Sequence, residues 1–221
     1  MTSEFTKGVY EKNPVLPRLN LTGEGVREET IRHHQKRYEL AAKYVPIGGI
    51  TVDLCCGTGY GTAMVKEAGA ALSIGVDLSG EAIAFAEKEY GHIGAEYVHD
   101  DVVVFLNAMP ANPNVITFFE AMEHVPMETG IKILDACKNS LSRDGTLLLS
   151  TPRDIRSDVN LDHITDWTFE ELRIALEERF YDVDMFGQDW ATGEFTCDSP
   201  EEASFFIAVC KNPKTDAGLK S

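Results

Sequence analysis

The run Asp53-Leu-Cys55-Cys-Gly57-Thr58-Gly59-Tyr-Gly61 joins one carboxylate at the end of an apolar segment to three glycines at alternate positions. It reads as a strand end, a tight turn and a helix start, because glycine accepts positive φ and leaves room where a Cβ would meet a ligand. A second apolar run over 72–76 ends in Asp77-Leu78-Ser. That lies about twenty positions after the glycines, where nucleotide sites place the carboxylate that accepts ribose hydroxyls. Two strand-terminal carboxylates around one glycine turn describe a nucleoside site, with a helix N-cap as the other role open to Asp77. The glycines are spaced G-x-G-x-G, not the G-x-G-x-x-G of a pyrophosphate cradle, and Asp53 just ahead of them repels phosphate and attracts a cationic amino group.

Hydrophobic periodicity supplies the elements that must hold these groups. Strands are expected at 51–54, 72–76, 95–98, 114–119 and 145–150, alternating with helices at 60–69, 80–90, 102–108 and 127–141. Uniformly apolar strands in such β-α repetition form a parallel sheet covered by helices on both faces. Ligands of an open sheet gather at the carboxyl ends of its strands, where Asp53, Gly57, Asp77, Asp101, Phe119 and Glu120 all fall. A helix over 28–45 carries Ile31, His34, Tyr38, Ala41 and Val45 at helical spacing ahead of the first strand. After the alternation come a helix from Thr168 to Arg179, with Thr168 as N-cap and Glu170 and Glu171 in its first turn, a strand near 181–187, and a last apolar run over 204–210. The domain reading is an irregular arm or lid over 1–27, one domain over 28–210, and a flexible tail over 211–221.

The chain has 221 residues, 43% of them apolar, enough for one substantial core. Lys and Arg number 20 against 36 Asp and Glu, a formal charge of −16 with no basic block. That balance argues against DNA or RNA as partner. The five cysteines, at 55, 56, 137, 197 and 210, are odd in number and lack the C-x-x-C pairs of zinc sites, so reduced thiols are expected. No apolar leader follows Met1 and no apolar run reaches the ~18 residues that cross a bilayer, which predicts a cytoplasmic protein without membrane contact, as a monomer or homodimer.

The chain resembles the class I S-adenosylmethionine-dependent methyltransferases, whose first motif is an acidic residue followed by glycines at this spacing. The resemblance extends from about Leu21 to Val209. Leu21-Thr-Gly-Glu and His34-Gln-Lys-Arg37-Tyr38 look like the lead-in of bacterial enzymes of polysaccharide and small-molecule pathways. Gly75-Val-Asp77-Leu-Ser is similar to the second motif, Tyr97-Val-His-Asp100-Asp101 to the third, and Phe119-Glu120-Ala-Met-Glu123-His124-Val to a fourth of F-E-x-x-E-H-V type. Leu141 to Pro152 resembles the fifth, and Asp162-His163 through Glu171-Leu172 a late H-x-x-x-(F/W)-(T/S)-x-E-E-L segment.

This resemblance implies a seven-stranded Rossmann-like sheet of order 3-2-1-4-5-7-6, mostly parallel, with the last strand antiparallel. It also implies S-adenosyl-L-methionine as cofactor, S-adenosyl-L-homocysteine as product, and a small-molecule methyl acceptor. Asp53 would serve the amino group of the methionine moiety through water or loop amides, with Cys55, Gly57, Thr58 and Gly59 forming the turn beside it. Asp77 would take the ribose hydroxyls and Leu78 would cover the adenine. Asp101, or Asp100 if the register slips by one, would accept the adenine amine beside the Val102 amide. Arg37 is a candidate for the cofactor carboxylate. Methyl transfer needs alignment above all and a base for hydroxyl acceptors. His163 and His124 are the base candidates, since imidazole titrates near neutrality. No resident metal is expected; a cation held by Asp154, Asp158, Asp162 and His163 is the weaker alternative. Trp167 and Trp190 are candidates for the acceptor pocket or for core. A non-catalytic cofactor-binding subunit on the same fold is the competing reading.

Overall fold

The computed structural model describes residues 28–153 and 163–214. Helix α1 (Glu28–Ala42) leads into β1 (Ile50–Leu54), α2 (Tyr60–Glu67), β2 (Leu72–Asp77), α3 (Gly80–Tyr90), β3 (Glu96–His99), α4 (Val102–Ala108) and β4 (Val115–Phe119). Then follow α5 (Met127–Ser140), β5 (Thr146–Pro152), α6 (Phe169–Glu177), β6 (Phe180–Gln188), β7 (Phe195–Thr196) and β8 (Phe205–Pro213). The sheet order is β3-β2-β1-β4-β5-β8-β6-β7. Strands β1 to β5 pair in parallel, and β8 runs antiparallel between β5 and β6.

The sheet has eight strands where seven were expected. The extra one is β7, two residues that fold back on Gly187 and Gln188, too short to leave a periodic signal. Without β7 the order is the expected one, β8 being the strand expected as seventh. The last strand also runs further than expected, through Pro213 opposite Phe180, and the Lys214 amide donates to the Arg179 carbonyl at 2.8 Å. Lys211 to Pro213 therefore belong to the sheet, because β6 offers them a ladder that the polar sequence does not advertise. The expected arm over 1–27 and the rest of the tail, 215–221, lie outside the described residues.

Period-two alternation explains why the strands read as unbroken apolar runs. Ile116, Phe118, Leu147 and Leu149 face the core under α4, α5 and α6, where Trp167 and Leu172 also pack. Val115, Phe119 and Leu148 face the opposite side, under Tyr38 and Ala41 of α1 and Val65 of α2. Both faces are covered, so both sets of side chains must be apolar. The row of loops at the carboxyl ends of β1, β2, β3 and β4 carries Asp53, Gly57, Asp77, Asp101 and Glu120, all buried or half-buried.

Candidate functional site

At the first of those ends, the Asp53 carboxylate is 1% exposed and surrounded by hydroxyls. Tyr38 of α1 donates to it at 3.1 Å, Thr62 of α2 at 2.8 Å and Thr117 of β4 at 2.6 Å. Burial pushes its pKa up to about 6, against the lowering pull of the three hydroxyls. Asp53 thus ties α1, α2, β1 and β4 together, and any service to a ligand is indirect, through the loop it fixes. The turn it supports has two kinds of glycine. Gly57, at φ +54°, faces open space, with nothing within 4 Å of where a Cβ would stand. Gly59, at φ +85°, is packed so closely that a Cβ would lie 2.5 Å from the Ala86 Cβ and 2.6 Å from the Tyr97 ring. The first leaves a cradle for a ligand and the second docks the turn on α3 and β3.

Asp77 ends β2 beside this cradle. Its Oδ2 accepts the Gly57 amide at 2.9 Å and its Oδ1 the Ser79 amide at 2.8 Å. The N-cap of α3 is Ser79, which accepts the Ala82 amide at 3.2 Å, so Asp77 is not itself the cap. At the end of β3, Asp101 caps α4, its Oδ1 accepting the Val103 and Val104 amides at 2.9 and 3.2 Å. Both bonds end on Oδ1, which leaves Oδ2 for a further donor. Asp100 is turned into the loop, receiving the Asp101 amide at 2.8 Å. Leu78 is half-buried and its carbonyl holds His99 at 2.9 Å; Val102 is buried at the start of α4.

A charged pair closes the other side. Arg37 is 0% exposed, its Nε donating to Gln188 at 2.8 Å and its Nη1 lying 3.2 Å from Glu120. The guanidinium stacks over the Phe205 ring at 4.4 Å. Beside the ion pair with Glu120, Nη2 makes no hydrogen bond among the described residues, leaving buried N–H groups suited to a carboxylate. Glu120 also accepts from Ser150 at 2.8 Å. Two residues here adopt left-handed backbone without being glycine, Cys55 at φ 55° and Glu120 at φ 49°. They stand at the ends of neighbouring strands β1 and β4, and such conformations cost about 1–2 kcal/mol each. Phe119 turns inward, its ring centroid 5.1 Å from that of Tyr38.

Beyond Glu120 the 3-10 turn Met122–His124 presents Glu123 and His124. The segment from His163 docks against it, with the Ile164 and Thr165 amides donating to the Glu123 carbonyl at 2.8 and 3.1 Å. This brings the rings of His124 and His163 edge to face, centroids 4.8 Å apart. Burial, then the Glu120 charge, push the Glu123 carboxyl well above the ordinary carboxylate range. Both histidines expected from sequence therefore share one spot with Glu123, the motif neighbour of His124. Asp154, Asp158 and Asp162 lie outside the described residues. Trp167 is core, whereas Trp190 is exposed and stacks on Phe205.

Tyr38 stands in the core, and the sequence singles out none of Thr62, Thr117 and Gln188. The alternation of β4 placed Thr117 on the sheet, and the glycine at 61, whose Cβ would lie 1.9 Å from the Tyr38 ring, marked the notch that Tyr38 fills.

Residues 51–145 match the family model described as a methyltransferase domain. A ubiquinone biosynthesis O-methyltransferase of Glaesserella parasuis serovar 5 (strain SH0165) is 31% identical over 110 residues, 47% of this chain and 45% of that protein. The chain thus matches less than half the length of that curated relative. Among solved structures, the N-methyltransferase NodS of Bradyrhizobium japonicum WM9 with S-adenosyl-L-homocysteine superposes at TM-score 0.68 and 15% identity, covering 88% of this chain and 95% of that one. A SAM-dependent methyltransferase of Archaeoglobus fulgidus gives 0.65 at 19% identity, covering 84% and 94%. Magnesium protoporphyrin IX methyltransferase of Synechocystis PCC 6803 with bound SAM gives 0.63 at 16%, covering 87% and 88%. The fold is that of solved S-adenosylmethionine-dependent methyltransferases, and residues 51–145 match a methyltransferase domain model.

Proposed function

We propose that the protein is an S-adenosylmethionine-dependent methyltransferase that moves a methyl group to an oxygen or nitrogen of a small molecule, a sugar, nucleotide-sugar or secondary metabolite. The observation that carries the reading is the sequence of groups along the sheet's carboxyl edge: an open cradle at Gly57, Asp77 beside it, a buried Arg37 with unspent donors, then Glu120, Glu123 and the two histidines. Asp77 and Asp101 would hold the nucleoside part, the Gly57 turn its amino-acid part, and Arg37 its carboxylate. When bound, the cofactor supplies a methyl carbon on a sulfonium, already activated for in-line attack. The protein's own share is alignment and the handling of the acceptor's proton at His163 and His124. The acidic balance of the chain supports a small acceptor over a nucleic acid.

Isothermal titration with S-adenosylhomocysteine tests the cofactor half, and absence of binding at millimolar ligand would overturn it. A mass-spectrometric screen of candidate acceptors for gain of one methyl group tests the rest. Cofactor binding with no acceptor turned over across hydroxyl and amine libraries favours the second reading, a cofactor-binding regulatory subunit. That reading draws its support from Asp53, Asp77 and Asp101, whose observed bonds all serve the fold.

A further inference from the structure

We infer that Glu123, His124 and His163 form a binding site for a first-row divalent cation of the imidazole-preferring class, Mn2+ or Zn2+ above Mg2+, which takes the acceptor's hydroxyl as a further ligand. The inference rests on the methyl-transfer reading and narrows it to oxygen as the acceptor atom. One ligand atom from each of the three residues lies within 4.8 Å of the other two. Atoms bound to a shared cation at about 2.0–2.2 Å stand roughly 3–4 Å apart, so small side-chain rotations close the site. Two imidazoles and one carboxylate leave coordination positions open, the composition of a catalytic cation site.

The backbone fixes the elements that carry these three groups. The Glu123 carbonyl accepts the Ile164 and Thr165 amides, and the Thr165 hydroxyl donates to the Val125 carbonyl at 2.6 Å. The segment is anchored further by Trp167, which is buried in the core. Glu123 itself is 1% exposed, and its carboxyl accepts from its own backbone amide and from the Thr151 hydroxyl, the latter at 3.2 Å. A carboxyl group buried this deeply can carry its charge only beside an opposite one. Its acidic neighbour Glu120 is already engaged by Arg37 and Ser150. A cation between Glu123 and the imidazoles supplies that opposite charge. It also lowers the pKa of a bound hydroxyl. The acceptor's O–H bond then breaks with its proton leaving to water and its electron pair staying on oxygen. That oxygen forms the new bond to the methyl carbon while the carbon–sulfur bond breaks with its pair on sulfur.

The test is a pair of titrations on the chelator-treated full chain, Mn2+ followed by electron paramagnetic resonance and calorimetry with Zn2+ alongside, and S-adenosylhomocysteine by calorimetry. The expected result is one cation site, weakened at least ~10-fold by Glu123→Gln, His124→Ala and His163→Ala, with S-adenosylhomocysteine affinity unchanged within about threefold. Unaltered S-adenosylhomocysteine binding also reports that each variant is folded, and His163→Gln serves where the alanine variant is not. Failure of the wild-type protein to bind Mn2+ or Zn2+ overturns the site and leaves the histidines as direct bases. Cation affinity that persists in all three variants overturns it too. Failure to bind S-adenosylhomocysteine overturns the methyl-transfer reading, and with it the cation's part in transfer, whatever the Mn2+ titration gives.

Discussion

Around Asp53 three hydroxyls from α1, α2 and β4 converge on one carboxylate, and strand register alone sets Asp53 opposite Thr117. Around Glu123 the partners come from a one-turn helix after β4 and from a segment that follows β5, joined by two backbone amides on one carbonyl. The first region is part of the sheet and its geometry cannot change without moving strands. The second is two connections docked on each other, so its side chains can adjust to what they hold. A site that grips an invariant ligand at one end and a variable one at the other is served by this division.

The sharpest way to separate the two regions is His163→Ala. It should lower kcat about 10³-fold, some 4 kcal/mol, while leaving S-adenosylhomocysteine affinity within about threefold. Equal losses in both quantities would join the regions into one. The sheet-bound end is probed by pH. Because the Asp53 value stands at about 6, above the ordinary 3.8, its protonated form favours the folded state. That contribution is complete below about pH 4 and is lost as pH rises through about 6. The stability of wild type relative to Asp53→Asn should therefore fall across this window by on the order of 3 kcal/mol and level off above it. Denaturant titrations at several pH values check this; a difference that is flat or rises would show the carboxylate ionised throughout.

Next in size is Asp77→Ala, expected to weaken S-adenosylhomocysteine about 100-fold, near 2.7 kcal/mol. Retained affinity would reduce Asp77 to a tie between the Gly57 and Ser79 amides. The gentlest comparison is within the glycine turn. Gly59→Ala should cost about 2 kcal/mol of stability, since its Cβ meets Ala86 and Tyr97 at a left-handed φ. Gly57→Ala, facing open space, should cost about 1 kcal/mol by thermal melt and show its larger effect in the cofactor titration.

The same contrast governs what the sequence revealed. The glycine turn, Asp77 and the β-α alternation are legible because their signals are local: a spacing, a period, a residue that tolerates positive φ. Tyr38, Thr62 and Thr117 meet at Asp53 from three elements, and no spacing among them predicts it. His124 and His163 were each visible as imidazoles in motifs, but their contact depends on the segment from His163 docking on the Met122–His124 turn. Glu123 is visible beside His124 in the fourth motif, but its burial is not, because burial comes from the fold. Strand β7 was missed because two residues carry no period, and Lys211 to Pro213 because a polar stretch can be strand when a neighbour supplies the ladder.

The left-handed residues at the ends of β1 and β4 bear on how this protein would respond to selection. Cys55→Gly and Glu120→Gly remove the conformational penalty at each position; the first gives up the packing of a half-buried thiol against the core, the second the partner of a fully buried guanidinium, the larger loss. Stabilising variants should therefore accumulate at 55 and be purged at 120. The two strand ends, alike in backbone, then differ in evolvability, one being a reserve of thermal tolerance and the other a point where robustness and activity trade against each other.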